Sequence, residues 1–133
     1  MTIESQYISE GELKLADGGF IVTEDIVFYS RLANRHITTP QGYFTDLASV
    51  PKIVPRFIVD VATGKNRLAA ITHDPLCEIE GKQHYSISQA LADLIFYEAM
   101  GVCKVANWRR VIMYLAVVAH QFRVHKFKYW SIP

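Results

Sequence analysis

The sequence predicts an α+β protein in which a small antiparallel β-sheet or meander precedes three α-helices. In the first third of the chain, hydrophobic residues alternate with polar ones or cluster as β-branched and aromatic pairs. In the second half, apolar residues recur at steps of three and four. Strand signals followed by helix signals, rather than alternation of the two, are typical of the α+β class.

A chain of 133 residues is long enough for one domain with its own core. We therefore treat residues 1–133 as a single domain. Within it we expect a candidate mobile arm at 1–10, a β region at 11–44 and a mainly helical region at 45–133.

The β region begins with Leu13 and Leu15, which alternate with Lys14 and Ala16. The sequence Asp-Gly-Gly at residues 17–19 predicts a tight turn. Further strands are expected at residues 20–23, 26–29 and 36–39.

The first helix is expected at about residues 65–74, because Pro75 removes a backbone donor and should end or kink the helix there. Upstream, the prolines allow only a single helical turn at 53–58. Residues 78–85 contain glycine and several charges, which predicts an exposed loop.

The second helix is expected to open at Ser86, since Ser86 and Gln89 have the spacing of a capping box, and to last to Met100 before a stop at Gly101. The third should run from about 104 to 126. It carries an apolar stripe typical of an amphipathic helix: Trp108, Ile112, Leu115, Ala119 and Phe122.

The net charge of +1 hides an asymmetry, because all thirteen acidic residues lie at or before Glu98. The chain after Glu98 carries six cations: Lys104, Arg109, Arg110, Arg123, Lys126 and Lys128. An anionic partner, such as anionic lipid or an acidic protein, fits this segment, although the spacing of the charges also fits a solvated helix face and does not favour nucleic acid.

Two cysteines, Cys77 and Cys103, do not form the framework of a small secreted protein and predict free thiols in a reducing compartment. We find no leader typical of secretion. The longest apolar run, residues 111–119, is about half of the ~20 residues that a transmembrane helix needs, so none is expected.

Two ionisable residues occupy core positions of apolar helices, His73 in the first and Asp93 in the second. Each would be costly to bury alone, so we expect them to face each other across two antiparallel helices. A carboxylate that holds one imidazole nitrogen leaves the other available as a base or ligand. Cys77, near the same helix end, is either a nucleophile partnered by His73 or an inert thiol.

Asp74 points about 100° around the helix from His73 and must serve another partner, and Asp46 is the further candidate carboxylate. Three interpretations stay open. His73 activates water, Asp93 orients it, and Asp74 with Asp46 holds a hard cation such as Ca²⁺. Alternatively, His73 and carboxylates bind a transition metal such as Zn²⁺ directly. In the third, the pair is a structural element and the aspartates tie loops to helix ends.

Four motifs in order resemble a small domain-of-unknown-function family of tailed phages and prophages. They lie at residues 42–51, 69–74, 92–96 and 113–117, so the resemblance covers about residues 37–118. This chain has Pro75, Cys77 and Gln89 where that family's pattern has an aromatic residue, a tyrosine and an arginine. The resemblance implies a phage or prophage origin, with the protein in the host cytoplasm or the virion.

The pair of helices is also similar, more loosely, to that of secreted phospholipases A2. That similarity implies His73 as base, Asp74 as calcium ligand and Asp93 as orienting carboxylate, although the disulfides and the glycine-rich calcium loop of those enzymes are absent.

Two functions therefore follow from the sequence. One is a phage accessory or virion-associated hydrolase acting at the host cell envelope. The other is a non-enzymatic module that binds a virion or host protein, with His73 and Asp93 as scaffold.

Overall fold

A computed structural model describes residues 3–46 and 66–133 and confirms the α+β class. Within these residues the strands are β1 (Gln6–Ser9), β2 (Glu12–Ala16), β3 (Gly19–Glu24), β4 (Ile26–Ser30), β5 (Arg35–Thr39) and β6 (Phe44–Thr45). The helices are α1 (Asn66–His73), α2 (Ile79–Tyr85), α3 (Gln89–Val102) and α4 (Asn107–His125), with 3₁₀ turns at Asp74–Cys77 and Lys126–Trp130.

The strands form two three-stranded antiparallel sheets, ordered β1-β4-β5 and β2-β3-β6. The predicted turn joins β2 to β3, where Gly18 has a φ of 83°, a conformation that glycine adopts without strain. On the first sheet, Phe28 pairs with Ile37, and both are buried in the core that α1, α3 and α4 complete.

The candidate arm is not free along its whole length, because Gln6–Ser9 pairs with β4 as strand β1. Tyr7 accounts for this attachment. Its ring packs on Phe28 with centroids 4.7 Å apart, and its hydroxyl is 2.7 Å from the Thr72 hydroxyl. The strand therefore links the sheet to α1.

The prediction of an exposed loop at residues 78–85 is wrong, since most of this segment is helix α2. Gly81 brings this short helix directly against the Pro75 carbonyl of the preceding 3₁₀ turn, and Lys82 is buried. Pro75 does end α1 as predicted, because the chain continues from His73 as a 3₁₀ turn.

The predicted bounds of the second helix are displaced by about one half-turn. Ser88, not Ser86, is the N-cap, and its hydroxyl oxygen accepts a hydrogen bond of 3.1 Å from the Leu91 amide. Ser86 instead ends α2 in the left-handed conformation. Gly101 lies inside α3, which continues to Val102.

The apolar stripe of α4 faces outward rather than into the core. The buried residues of α4 are Met113, Val117 and Gln121, on the opposite side of the helix, and Trp108 and Leu115 are 53% and 58% exposed.

Two sequence predictions fall outside the described residues: the helical turn at 53–58, and the part of the motif at 42–51 that follows Asp46. Among residues 3–46 and 66–133, no helix combines the length and hydrophobicity needed to cross a bilayer.

The close approach of α2 to the 3₁₀ turn generates a prediction for Gly81→Ala. An added methyl group would overlap the Pro75 carbonyl oxygen, so we expect the free energy of unfolding to fall by about 1–3 kcal/mol in urea denaturation. The comparison variant is Gly18→Ala, where the methyl group meets no atom within 4 Å and the cost, about 1 kcal/mol, comes from the positive φ alone. An equal or smaller loss for Gly81→Ala would contradict this packing.

Candidate functional site: a buried polar centre

His73 and Asp93 meet as the sequence predicted. The His73 Nε2 donates to Asp93 Oδ1 over 2.8 Å, and both side chains are fully buried. Small residues allow this approach of α1 and α3, since Ala69, Ala70 and Ala92 have no exposed surface. The His73 ring also packs on Phe96, with centroids 4.8 Å apart.

Asp93 accepts two further hydrogen bonds. Gln89 Nε2, one helical turn earlier, donates to Oδ1 over 2.9 Å, and the Tyr129 hydroxyl donates to Oδ2 over 2.6 Å. Both carboxylate oxygens are therefore occupied by protein donors, which offsets the cost of burying the charge.

Lys82 extends the network to α2. Its Nζ donates to Gln89 Oε1 over 2.9 Å and to the Cys77 carbonyl over 2.7 Å. Burial lowers the pKa of Lys82, while electrostatic interactions with Cys77 and Asp93 oppose that shift.

Cys77 lies between these groups and α4. Its sulfur is 3.4 Å from His73 Nε2 and 3.6 Å from Nδ1, and the amide nitrogens of Gln89 and Gln121 are 3.5 Å and 3.7 Å from it. An atom in line with one imidazole nitrogen would be more than about 5 Å from the other. The sulfur therefore packs against the ring without facing either nitrogen directly.

The charge state of His73 follows from these contacts. Burial alone would lower its pKa, but the electrostatic interaction with Cys77 and the hydrogen bond to Asp93 outweigh burial and raise the pKa from 6.5 to about 10. Burial and the same carboxylate raise the pKa of Tyr129 well above its usual value. At neutral pH His73 is therefore an imidazolium and Tyr129 a neutral phenol.

The other two predicted site residues lie elsewhere. Asp74 accepts a hydrogen bond from the Thr45 hydroxyl and so ties the 3₁₀ turn to β6, in agreement with the prediction that it serves a separate partner. Asp46 is exposed. Within residues 3–46 and 66–133 there is no cluster of three or more His, Cys, Asp or Glu side chains arranged to hold a metal ion. The role of Asp74 and Asp46 as cation ligands stays a prediction.

Three members of the centre were missed by sequence reasoning: Lys82, Gln121 and Tyr129. Gln89 had a usable signal, because it precedes Asp93 by four residues and so shares its helix face. Lys82 lay in a predicted loop, and Tyr129 is 36 residues from Asp93 with no periodic relation to it.

The hydrogen bond of Tyr129 predicts a specific cost for Tyr129→Phe. The variant keeps the ring but removes one donor to a buried carboxylate, so the free energy of unfolding should fall by about 1.5–3 kcal/mol. Tyr114→Phe is the matched control, since its hydroxyl has no hydrogen-bond partner in the part of the chain that the structure describes. Equal losses for the two variants would rule out a special contribution from Tyr129.

The raised pKa of His73 predicts how stability varies with pH. Between pH 6.5 and about 10 the folded protein retains a proton that the unfolded chain releases. The stabilisation that this proton gives to the folded state is complete below pH 6.5 and is lost as the pH rises from 6.5 to about 10. Urea denaturation at several pH values from 6.5 to 9 should show the decline, and Asp93→Asn should make it shallower, because part of the shift comes from this carboxylate. A level profile for the unsubstituted protein would contradict a charged His73.

A family model described as "Protein of unknown function (DUF1353)" matches residues 20–117, which include His73 and Asp93 but not Gln121 or Tyr129. Comparisons with curated proteins and with solved structures gave no match. The match confirms the predicted resemblance to a family of unknown function. This chain belongs to the DUF1353 family.

Proposed function

We propose that the chain is a non-enzymatic binding module of phage or prophage origin, and that its polar centre is a brace rather than a catalytic site. The observation that carries this proposal is the complete burial of His73, with Nε2 bonded to Asp93. A hydrolytic base must reach water in an open cleft. The order of the four sequence motifs supports the phage origin.

The composition of the network favours a brace. His73 comes from α1, Cys77 from the 3₁₀ turn that follows it, Lys82 from α2, and Asp93 from α3. Two members then attach the end of the chain. Gln121 contacts the Cys77 sulfur from α4, and Tyr129 bonds Asp93 from the last 3₁₀ turn. Such a network fixes α4 and the C-terminal turn on the body of the protein.

A hydrolase at the host cell envelope is the second candidate, and one observation favours it. Among the described residues, His73 Nδ1 has no nitrogen or oxygen partner, and its nearest polar neighbour is the sulfur of the partly exposed Cys77. In this mechanism Nδ1 would activate water, Asp93 would orient the ring, and Asp74 with Asp46 would hold a cation. The raised pKa of His73 counts against it, because a protonated imidazole is not a base.

His73→Ala distinguishes the two functions. His73→Ala removes the cationic partner of a buried carboxylate and leaves Asp93 with only the neutral donors Gln89 and Tyr129, so a brace predicts a loss of about 3–5 kcal/mol in the free energy of unfolding. His84→Ala, on the exposed face of α2, is the control and should change stability little.

The same variant is assayed for hydrolysis of p-nitrophenyl esters and of a fluorogenic phospholipid, each with and without Ca²⁺ or Zn²⁺. The brace predicts no turnover by the unsubstituted protein. Turnover that His73→Ala abolishes while the unfolding free energy stays within about 1 kcal/mol of the original would instead establish the hydrolase.

A further inference from the structure

Helix α4 presents an apolar face that the other described elements leave largely exposed. This outward stripe consists of the five residues Trp108, Ile112, Leu115, Ala119 and Phe122. At about 100° per residue they fall within an arc of about 80°, opposite the buried Met113 and Val117. All five are exposed, Leu115 by 58% and Phe122 by 43%.

The apolar surface continues past the end of α4. The Trp130 ring contacts the Phe122 ring with centroids 5.4 Å apart, and Trp130 remains 63% exposed. Phe127, between Lys126 and Lys128, is 91% exposed. Single exposed hydrophobic residues are normal, but a contiguous aromatic and aliphatic band of this extent marks an interaction surface.

The Asp, Glu, Lys and Arg residues of α4 and of the turn that follows it have one sign of charge. No acidic residue follows Glu98 in the sequence. Arg110 is held over the Tyr97 ring, 4.2 Å from its centroid, but Arg123, Lys126 and Lys128 are exposed. Arg109 lies 5.2 Å from the centroid of the Trp108 ring, at the other end of the outward stripe.

These charges decide between occupants. A second copy of the chain would bring two such cationic surfaces together without any acidic partner on α4, which opposes self-association. A partner helix that packed on the stripe as a coiled coil would need an apolar repeat of three or four heptads. Residues 108–122 span only about two.

An anionic bilayer surface fits both features. Apolar and aromatic side chains on one face with flanking Lys and Arg are the composition of interfacial helices, and tryptophan is favoured where water meets the acyl chains. We propose that the outward stripe, with Phe127 and Trp130, docks on an anionic lipid surface, with α4 lying along the bilayer plane. This names the partner of the binding module proposed above and rests on that function.

The brace explains how the surface is held. Phe122 and Trp130 both contact the Tyr129 ring, at 6.0 Å and 5.3 Å between centroids, and Tyr129 bonds Asp93. The polar centre therefore holds the C-terminal turn, through Tyr129, against Phe122 near the end of α4.

The test uses the full chain with large unilamellar vesicles of equal parts phosphatidylglycerol and phosphatidylcholine, or of phosphatidylcholine alone. Both tryptophans of the sequence lie in the proposed surface, so their fluorescence reports contact directly. We expect a blue shift and co-sedimentation with the anionic vesicles, weakened by added salt. Lys126→Gln with Lys128→Gln should reduce binding roughly tenfold or more, at about 1 kcal/mol for each lysine.

Leu115→Glu tests the apolar contribution and should also lower binding at least tenfold. Ile8→Glu, at a 55% exposed position on β1, adds the same charge away from α4 and should have a much smaller effect. The proposal is overturned by three results: no binding to anionic vesicles at low salt, equal losses for the two glutamate variants, or a dimer in analytical ultracentrifugation that Leu115→Glu dissociates.

Failure of this inference is distinguishable from failure of the proposed function. Vesicle binding is read from tryptophan emission and sedimentation, neither of which depends on turnover. Absence of binding would remove the lipid partner and leave the brace intact, whereas turnover dependent on His73 would remove the non-enzymatic function whether or not vesicles bind.

Discussion

A buried carboxylate sets the arrangement of the helical half of this protein. Asp93 has no exposed surface, so its charge is tolerable only when donors surround it. Those donors come from α1, from α3 itself and from the C-terminal turn, through His73, Gln89 and Tyr129. Because each donor has to arrive at a fixed oxygen, one side chain of α3 specifies where two other segments lie, α1 and the C-terminal turn.

Helix α3 applies the same principle toward the sheet. Glu98 accepts hydrogen bonds from the hydroxyls of Ser5 and Ser30, each over 2.6 Å, and from the Leu32 amide over 3.0 Å. Asp93 and Glu98 are five residues apart, so they point to different sides of the helix. Asp93 binds donors from the helical region, and Glu98 binds donors from the β region. Helix α3 therefore connects the two halves of the protein.

The limits of sequence reasoning follow from what a sequence pattern contains. An ionisable residue inside an apolar helix must find a partner, and this constraint was enough to pair His73 with Asp93. Helix α2 is short and contains several charged residues and Gly81. Its sequence therefore has no apolar repeat from which its packing against Pro75 could be predicted. Tyr129 follows α4 in the chain, so its contact with Asp93 depends on where the whole of α4 lies and cannot be predicted from local sequence. Periodicity identified the stripe of α4 but not its direction, since α4 has a second, narrower apolar face at Met113 and Val117.

The polar centre and the outward stripe are each unfavourable when considered alone. Burying an ion pair with its amides and phenol contributes less to stability than a well-packed apolar core would, and its best-attested use is to fix one arrangement among several. An exposed band that includes Phe122 and Trp130 risks aggregation. The proposed docking on a planar bilayer would require the outward stripe and the C-terminal turn to be held at one angle. The contact between Phe122 and Tyr129, and the bond from Tyr129 to Asp93, supply that restraint.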